Sequence, residues 1–546
     1  MTVGECISRT TDVVRAAAVL VRRGMVQPTR PRDVLRAARA LRRLGTFGGL
    51  VHYTAARYGP RQALSDENVQ LSFSEVDEQS NARVRALANL SGIGTVADER
   101  SRVAPTVVGL LRRSSVDFVL DLAAANKAGV RTVLLNVGFA APQLADVCVR
   151  ERVTAVLADD EFAPLLSELD PGIVQLVGSG MAELAAGLSV SAPAPPARPG
   201  GLVLLTSGTT GAPKGASRER ISPLQSAQLL DRIPWPRNSA YVVAAPLFHA
   251  TGLATCSLGL ALGNQVVLRR RFDPRDTLQA IHVHHARALV VVPTMLSRIL
   301  DLPLEVLQSF DTSSLEVVFT AGSSLSPELY RRATGFFGDV VYNLYGSTEV
   351  ATAAVATPAE LRRAPGTVGR PPVGCTIAAY DDRDRRITDP DTVGTIYVSS
   401  GLSFGGYTDG RHKKSLDGLL SSGDTGHFDN EGLWFIDGRD DEMVVCGGEN
   451  VYPLEVENVL AEVPGVREVA VIGVPDPDFG MCLRAFIVRR DSTGAVAAPD
   501  ADRIRSAVRS RLARHKVPRD VGFLEALPRN ETGKVLKRAL VDMEKS

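Results

Sequence analysis

Helix-like and strand-like patterns of apolar residues alternate along the chain between Leu71 and Leu300. Apolar positions that recur every three or four residues predict helices, and short runs of β-branched residues predict strands. Helices are predicted at residues 75–90, 115–128 and 273–285. Strands are predicted at residues 131–135, 153–157, 201–205, 241–244 and 288–292. This alternation is typical of parallel sheets covered by helices, and it predicts an α/β fold.

The apolar pattern changes in the second half of the chain. Between residues 366 and 437, short strands are separated by Gly, Asp and Pro, which predicts a small β-rich subdomain. After Arg439, helices and strands are mixed as in an α+β domain. The elements predicted there are a helix at 453–462, strands at 468–474 and 483–489, a helix at 500–515 and a strand at 521–524.

These patterns divide the chain into three parts. Residues 1–45 form a basic helical N-terminal extension. Residues 46–440 form a large domain that contains two α/β sheet subdomains and the β-rich subdomain. Residues 441–546 form a smaller α+β domain, which we call the lid.

Composition places the chain among ordinary folded proteins. Of its 546 residues, 45% are apolar and 23% are charged. The net charge is +1, because the chain contains 62 Lys and Arg residues and 61 Asp and Glu residues. These values exclude a disordered chain and a globally basic nucleic-acid binder. The six cysteines are scattered without a CxxC pair, so neither a zinc knuckle nor a disulfide framework is expected. No apolar run reaches the 18 residues that cross a bilayer, and we expect a cytoplasmic protein.

The near-neutral total hides a basic N-terminal segment. Residues 1–50 contain ten Arg against three acidic residues, a local charge of +7, on helix-like stretches at 11–24 and 33–44. A basic amphipathic helix can lie on an anionic membrane surface, which here would be the inner face of the membrane. The alternative is an Arg-rich solvated face on helices that pack against the body of the protein.

A loop suited to binding phosphate follows the predicted strand 201–205. Glycines let backbone N–H groups approach an anion, hydroxyls donate hydrogen bonds, and lysine supplies a mobile positive charge. The loop contains all three residue types: Thr206, Ser207, Gly208, Thr209, Thr210, Gly211 and Lys214. It is not a Walker A motif, because Pro213 stands where that motif has its second glycine. The alternative for a Gly- and Thr-rich turn is a flexible linker.

The loop and the motifs that follow it resemble those of the adenylate-forming superfamily, which includes acyl-CoA synthetases, nonribosomal peptide adenylation domains and firefly-type luciferases. The motifs follow in order over about 330 residues. After the loop they are 246–249 (Pro-Leu-Phe-His), 321–327 (Ala-Gly-Ser-Ser-Leu-Ser-Pro), 345–349 (Tyr-Gly-Ser-Thr-Glu), 422–424 (Ser-Gly-Asp), 438–441 (Gly-Arg-Asp-Asp), 447–453 (Gly-Gly-Glu-Asn-Val-Tyr-Pro) and 530–534 (Asn-Glu-Thr-Gly-Lys). The resemblance extends weakly back to Leu71, and residues 1–45 carry no signature of the family.

The resemblance implies a reaction in two steps. A carboxylate attacks the α-phosphate of ATP to give an acyl-adenylate and pyrophosphate, and coenzyme A then displaces AMP to give a thioester. ATP and coenzyme A are the implied substrates, and Mg²⁺ is the implied cofactor. Because negative charge gathers on phosphate oxygens in the first transition state, positioned cationic groups are expected to dominate catalysis.

The resemblance also implies roles for residues of the nucleotide site. Glu349 would bind Mg²⁺, and Thr348 would contact the α-phosphate. Asp424, expected at a loop tip, would accept hydrogen bonds from the ribose hydroxyls, and Arg439 would make a second ribose or phosphate contact. Tyr345 would stack on adenine. The other implied residues of this pocket are Gly322, Ser323, Ser324, Gly346 and Ser347.

Several lid residues have counterparts in the same family. Lys534 resembles the lysine that contacts the substrate carboxylate and the bridging oxygen during adenylation. Asp441 falls on the hinge about which the lid rotates between two catalytic poses, so a mobile lid is implied. Gly447 and Gly448 would face coenzyme A in the second pose, where glycines permit close backbone approach.

His249 resembles the residue that gates the acyl pocket in this family. The apolar stretch at 250–262 follows it and is implied to line a channel for an aliphatic chain. Its small residues leave two interpretations open, because they either make room for that chain or allow close helix packing. These small residues are Gly252, Ala254, Gly259 and Ala261.

We therefore predict an AMP-forming acyl-CoA synthetase that acts on a medium- or long-chain fatty acid. The nearest alternative is a fatty acyl-AMP ligase that passes its adenylate to the phosphopantetheine arm of a carrier protein. An alternative of another class is a catalytically silent nucleotide or lipid sensor. Intact Lys214, Glu349 and Asp424 argue against the sensor, and so does Lys534, since binding alone would not require it.

Overall fold

The helices of this protein surround strands in the order that the sequence pattern predicts. The computed structural model describes residues 3–26, 31–90, 107–206, 214–218, 226–400, 406–446, 449–476, 480–490, 498–531 and 533–545. The α-helices over these residues are α1 (Val3–Arg22), α2 (Pro31–Leu44), α3 (Thr46–Tyr58), α4 (Phe73–Asn89), α5 (Val116–Lys127), α6 (Ala141–Arg150), α7 (Gly180–Ala185), α8 (Ser226–Arg232), α9 (Ala250–Ala261), α10 (Pro274–His284), α11 (Pro293–Leu300), α12 (Leu304–Gln308), α13 (Pro327–Phe337), α14 (Pro358–Arg363), α15 (Pro453–Ala461), α16 (Ala501–Arg509) and α17 (Lys537–Lys545).

The strands form two large sheets and one five-stranded sheet, and the lid contains a three-stranded and a two-stranded sheet. Over the described residues they are β1 (Gln62–Ser65), β2 (Gln70–Ser72), β3 (Val107–Leu111), β4 (Arg131–Leu134), β5 (Ala155–Ala158), β6 (Val174–Val177), β7 (Leu202–Thr206), β8 (Lys214–Arg218), β9 (Ala240–Val243), β10 (Gln265–Leu268), β11 (Ala288–Val291), β12 (Val317–Ala321), β13 (Val341–Ser347), β14 (Ala351–Ala356), β15 (Thr376–Tyr380), β16 (Gly394–Ser399), β17 (Ser415–Leu416), β18 (Leu419–Phe428), β19 (Trp434–Arg439), β20 (Val444–Cys446), β21 (Glu449–Val451), β22 (Val466–Asp476), β23 (Gly480–Arg489) and β24 (Asp520–Leu524).

Both large sheets are parallel in their interior. One has the strand order β14-β13-β12-β11-β9-β10-β1-β2, and the other has the order β6-β5-β3-β4-β7-β8. Antiparallel pairs lie only at sheet ends, as in β13–β14, β1–β2 and β7–β8 among the described strands. Buried strands of both sheets share one hydrophobic core with the helices between them, for example through Val133 and Tyr241. The predicted α/β fold is confirmed.

The remaining strands form smaller units. The β-rich region contains the antiparallel order β15-β16-β18-β17, with β19 paired to β18. In the lid, β22, β23 and β24 form a sheet against α15, α16 and α17, with its own core around Val471, Ile487 and Ile504. The smaller C-terminal unit is therefore mixed α and β, as predicted.

The N-terminal helices dock on the body of the protein. α1 buries Ala16, Val19 and Leu20 in the main core. α2 packs against α3 at Gly49, where a side chain would collide with the α2 backbone. These packed helices agree with the second interpretation of the Arg-rich segment. No helix among the described residues has both the length and the apolar character that crossing a bilayer requires.

The prediction of one helix over residues 500–515 is wrong at its C-terminal end. α16 starts after Asp500, whose side chain caps it, and ends at Arg509. Leu512 then packs against the lid core, and the chain turns toward β24. Lys516 Nζ lies 2.6 Å from Glu455 Oε2 on α15, and this ion pair holds the turn. The helix is therefore shorter than its apolar pattern, and Leu512 joins the lid core from the turn that follows α16.

Candidate active site

A large cavity gathers the residues that the motifs predict. It has a volume of about 2230 Å³ and lies between the two large sheets, the β15–β19 region and the lid. The predicted residues that line it are Lys214, His249, Gly322, Ser323, Ser324, Tyr345, Gly346, Ser347, Thr348, Glu349, Asp424, Arg439, Asp441 and Lys534. Thr206 ends β7 beside this cavity's Lys214, with which it pairs across the β7–β8 hairpin. The other predicted residues, Ser207, Gly208, Thr209, Thr210, Gly211, Gly447 and Gly448, lie outside the described residues.

Glu349 lies in the tight turn between β13 and β14. The Ser347 hydroxyl oxygen accepts hydrogen bonds from the backbone N–H groups of Glu349 and Val350, each at 3.3 Å. Gly346 is required beside this turn, because a Cβ there would collide with the carbonyl oxygen of Ala351. The turn therefore fixes Glu349 on the cavity wall.

Tyr407 is a residue of the cavity that the sequence analysis missed. Its hydroxyl donates to Glu349 Oε1 at 2.9 Å, and its ring centroid lies 5.2 Å from Lys214 Nζ. Burial, and then the charge of Glu349, raise the pKa of Tyr407, so the phenol stays protonated and acts as a donor. Tyr407 thereby connects the predicted metal ligand with the lysine of the phosphate loop. Its sequence signal was a single aromatic residue after Gly406, which matches no motif that we used.

Asp424 was expected at a loop tip, and that expectation is wrong. It lies inside β18, directly across from Arg439 in β19. The Tyr345 hydroxyl donates to Asp424 Oδ2 at 2.6 Å, and Arg439 Nη1 lies 3.4 Å from Asp424 Oδ1. The pairing of β18 with β19 holds the Asp424 carboxylate more rigidly than a turn would. A carboxylate has about four acceptor positions, so Asp424 can accept further hydrogen bonds.

Lys413 is a second residue that the motifs did not reveal. Its Nζ donates to the carbonyl oxygen of Ser422 at 2.7 Å and faces the cavity. Burial lowers the pKa of Lys413. Burial also raises the pKa of Asp424, while the hydrogen bond from Tyr345 and the charges of Arg439, Lys413 and Lys534 lower it. Lys413 therefore adds positive charge beside Asp424 that the sequence alone did not distinguish from a surface lysine.

His249 lies between β9 and α9, as predicted, at the N-cap position of that helix, where its side chain makes no capping hydrogen bond. Its Nε2 is buried and has no hydrogen-bond partner among the described residues. Burial lowers the pKa of His249 to about 4, so the ring is neutral near pH 7. An unpaired polar atom on a cavity wall is suited to receive a ligand group.

The small residues of α9 divide between the two interpretations of the sequence. Gly252 and Gly259 pack closely, because a Cβ there would collide with the Pro246 carbonyl or crowd the Tyr241 ring. Ala254 and Ala261 instead line the cavity. Close packing therefore explains the glycines, and the alanines leave open space.

Lys534 reaches the same cavity from the lid. The residue before it, Gly533, lies so close to Thr294 of the large domain that a side chain would collide. The Lys534 backbone N–H donates to Asn530 Oδ1 at 2.9 Å, which holds the turn. Burial raises the pKa of Asp424, and the charge of Lys534 is one of the groups that offset part of this rise. The lid is thus placed with Lys534 over the site.

Asp441 lies in the 3₁₀ turn Asp440–Glu442, which links β19 to the lid. Its Oδ1 is 3.1 Å from Arg439 Nε, and its side chain is 44% exposed. The chain therefore passes from the Asp424–Arg439 pair into the lid through one short, exposed turn.

An α/β body, a cavity between body and lid, and convergent carboxylates, hydroxyls and lysines are the features that the motifs predict for an adenylate-forming enzyme. Comparison with protein families agrees with this class. The family "AMP-binding enzyme" matches residues 51–408, and "AMP-binding enzyme C-terminal domain" matches residues 455–534. The chain belongs to the AMP-binding enzyme family, within the adenylate-forming superfamily.

Relatives in this family differ in the acids that their names give. The medium/long-chain-fatty-acid–CoA ligase FadD8 of Mycobacterium tuberculosis is 33% identical over 363 residues, 64% of this chain and less than two thirds (62%) of that protein. Feruloyl-CoA synthase of Amycolatopsis sp is 31% identical over 89% of this chain and 95% of its own length. The fatty acid–[acyl-carrier-protein] ligase ScoC of Streptomyces coeruleorubidus is 28% identical over 87% and 92%. ATP-bound MatB of Rhodopseudomonas palustris has a TM-score of 0.78, with 25% identity over 91% and 99%.

Proposed function

We propose that the protein activates a medium- or long-chain fatty acid with ATP and transfers the acyl group to coenzyme A. The observation that carries this proposal is an apolar part of the cavity beyond His249. We call it the apolar limb, and its wall includes Leu253, Ala254, Leu258 and Ala261 of α9 and Leu50 of α3. The likeness to FadD8 supports the same class of substrate.

Two of the three hydroxyl residues of α9, Thr255 and Ser257, bond within the helix. Thr255 Oγ1 donates to the Thr251 carbonyl oxygen at 2.8 Å, and Ser257 Oγ donates to the Leu253 carbonyl oxygen at 2.7 Å. These bonds to the preceding turn use both hydroxyl donors within the helix, and Thr251 is the remaining hydroxyl residue of α9 that lines the cavity. The limb therefore presents mainly hydrocarbon, and burying an aliphatic chain there is favourable by about 0.8 kcal/mol per CH₂ group.

In the proposed adenylation step, different residues of the cavity bind different parts of the substrates. Asp424 and Arg439 hold the ribose, and Tyr345 with Ser323 and Ser324 forms the adenine pocket. Thr348, Lys214 and the loop from Thr206 to Gly211 hold the phosphates. Lys534 places positive charge at the attacking carboxylate and at the oxygen that departs with pyrophosphate, where preorganised charge lowers the barrier most.

The residues around Glu349 fit Mg²⁺. Mg²⁺ prefers oxygen ligands and is commonly held by one or two carboxylates together with substrate phosphates. Among the described residues no group of three or more His, Cys, Asp and Glu could hold a metal without such help. We assign Glu349 as the protein ligand and Thr348 as its neighbour at the phosphates. Bound Mg²⁺ would neutralise part of the phosphate charge.

The second step requires the lid, residues 441–546, to rotate about Asp441. Lys534 then leaves the site, and Gly447 and Gly448 admit the pantetheine arm of coenzyme A. Transfer to a carrier protein is the second candidate, since ScoC aligns with most of this chain. A catalytically silent sensor is disfavoured, because a site for binding alone would not need Lys534 at the cavity.

Mass spectrometry of reaction products tests this function. Pure protein is mixed with ATP, Mg²⁺ and a panel of straight-chain, aromatic and short polar acids, with coenzyme A, with a phosphopantetheinylated carrier protein, or with neither acceptor. We expect acyl-adenylate without an acceptor and acyl-CoA with coenzyme A. Thioester on the carrier protein alone would favour the second candidate. Consumption of aromatic acids but of no straight-chain acid would overturn the fatty acid assignment.

Replacing Glu349 by Ala is expected to lower adenylation by at least about 10²-fold, the scale for losing one preorganised charge contact. The Mg²⁺ concentration needed for half-maximal rate should also rise. Glu316→Ala is the matched control, because Glu316 is an exposed carboxylate outside the cavity that pairs with Arg287. Rates that match the wild type across a Mg²⁺ titration would remove Glu349 as the metal ligand.

The basic N-terminal extension is proposed to contact anionic membranes through the exposed arginines of α2. Replacing Arg36, Arg39 and Arg43 together by Gln should reduce flotation with anionic liposomes at low salt, where charges are least screened. Activity on a short acid should stay unchanged. A triple Gln variant of the exposed arginines 383, 385 and 386 controls for net charge. Equal flotation of both variants would exclude α2 as the contact.

A further inference from the structure

α2 presents an apolar stripe to the cavity. Val34, Ala37, Ala38 and Leu41 line it, at the i, i+3, i+4, i+7 spacing of one helix face. The α2 arginines are exposed on other faces of the helix. The contact with α3 uses different residues, since Ala40 and Leu44 are the buried positions of α2.

The N-terminal end of the stripe, at Val34, lies toward the end of the apolar limb that is remote from His249, because α2 runs antiparallel to α3 and meets it at Ala40 and Gly49. His249 precedes α9, and Ala261 ends it. The hydroxyl of Tyr58, at the end of α3, donates to the Ala261 carbonyl oxygen at 3.1 Å. Next to Tyr58, Arg57 Nη1 donates to the carbonyl oxygen of Met25, just beyond α1, at 3.3 Å. The ends of α9, α3 and α1 therefore meet there, and α2 runs along α3.

The length of the limb can be compared with that of an acyl chain. α9 rises about 1.5 Å per residue, so its cavity face spans about 16 Å from Ala250 to Ala261. One leaflet of a bilayer has a hydrocarbon thickness of about 15 Å, which is the length that a lipid acyl chain spans. An acyl chain of membrane-lipid length that starts at His249 would thus reach the far end of α9, where α1 and α2 stand.

The α2 stripe has open cavity in front of it. Val34 is 40% exposed, and Ala37, Ala38 and Leu41 are also accessible while lining the cavity. Leu20 and Met25 of the α1 end extend the same apolar wall. Apolar surface in this position is stabilised when hydrocarbon removes it from water.

We propose that α1 and α2 form the distal wall of the acyl site and that the stripe on α2 sets the length of the acyl chain. The inference rests on the proposed function and narrows its substrate to unbranched acids of membrane-lipid chain length. The terminal methyl end of the chain contacts Val34, Ala37 and Ala38. The N-terminal extension is therefore part of the substrate site as well as a basic surface.

Ala38→Trp tests the proposal by filling the end of the limb. The rates of wild type and variant are compared for hexanoate, dodecanoate and octadecanoate. We expect kcat/KM for octadecanoate to fall at least about tenfold, the scale on which a hydrophobic pocket discriminates by size, with hexanoate unchanged. Leu35→Trp is the matched control on the same helix, because Leu35 is 68% exposed and does not line the cavity. Hexanoate activity also reports folding.

A second variant changes the wall in the opposite direction. Val34→Ala enlarges the end of the limb and should raise the rate for octadecanoate relative to dodecanoate. Equal changes for hexanoate and octadecanoate in Ala38→Trp, or the same chain-length shift in Leu35→Trp, would overturn the role of α2. A wild-type enzyme that activates long acids with no shift in either cavity variant overturns this inference alone. A wild-type enzyme that activates no straight-chain acid overturns the proposed function and this inference with it.

Discussion

Replacing Lys534 by Ala is expected to slow the formation of acyl-adenylate from acid and ATP by about 10²- to 10³-fold. Lys534 lines the cavity, and its charge already acts on Asp424 in this arrangement of the lid. In the proposed adenylation step, its charge acts while pyrophosphate departs, because negative charge then develops on the bridging oxygen. The thioester step starts from finished acyl-adenylate and should keep most of its rate. Both half-reactions are measured separately, the second with supplied acyl-adenylate and coenzyme A.

Lys516→Ala is the matched control for this change. Lys516 is also a lid lysine, but it pairs with Glu455 and does not line the cavity. It should leave both half-reactions near the wild-type rate. If both half-reactions fall together in a folded Lys534→Ala protein, the lysine has a structural role and its assignment to adenylation fails.

The motifs revealed residues whose position is fixed by contacts with near neighbours in the sequence. Glu349 lies in a turn closed by Ser347, two residues away, and Lys534 lies in a turn closed by Asn530. Such short-range contacts leave a recognisable sequence pattern. The Ser-Gly-Asp segment at Asp424 was misassigned to a loop tip for a related reason. Gly and Asp favour turns, but pairing of β18 with β19 overrides that preference.

The residues that sequence reasoning missed depend on contacts between distant parts of the chain. Tyr407 meets Glu349, 58 positions earlier, and no periodicity records such a contact. The apolar stripe of α2 was visible as an amphipathic pattern, but the pattern does not say what the stripe faces. A membrane and a substrate cavity both accept an apolar face beside arginines. The position of α2 along α3 shows that the stripe faces the cavity.

Rotation of the lid is compatible with the contacts that hold it in the present pose. Arg490 pairs with Asp301 and Glu328 at 3.2 and 3.3 Å, and Arg331 pairs with Glu462 at 2.8 Å. These cross-domain ion pairs involve partly exposed side chains, and such pairs contribute about 0 to 1 kcal/mol each. The lid keeps its own hydrophobic core, so moving it need not open that of the large domain.

Asp441→Pro is therefore expected to separate the two steps of the reaction. Proline fixes φ near −65°, within the range of a 3₁₀ turn such as Asp440–Glu442. The substitution should hold the pose seen here, with Lys534 at the site, since a hinge must change its backbone angles to rotate. Pyrophosphate release should persist for a single turnover, while acyl-CoA formation falls by at least about 10²-fold. Rapid-quench measurement of pyrophosphate and acyl-CoA separates these outcomes.

Two control variants test whether the effect of Asp441→Pro comes from the lost backbone freedom at Asp441. Asp441→Ala removes the carboxylate that pairs with Arg439 Nε but leaves φ free, so it should still form acyl-CoA. Asp440→Pro tests whether the hinge lies one residue earlier, because the two aspartates are adjacent. If both proline variants form acyl-CoA at the wild-type rate, rotation about this turn is not how the lid exposes Gly447 and Gly448. Coenzyme A would then have to reach the acyl-adenylate with Lys534 still in place, and the assignment of the second step would lose its mechanical basis.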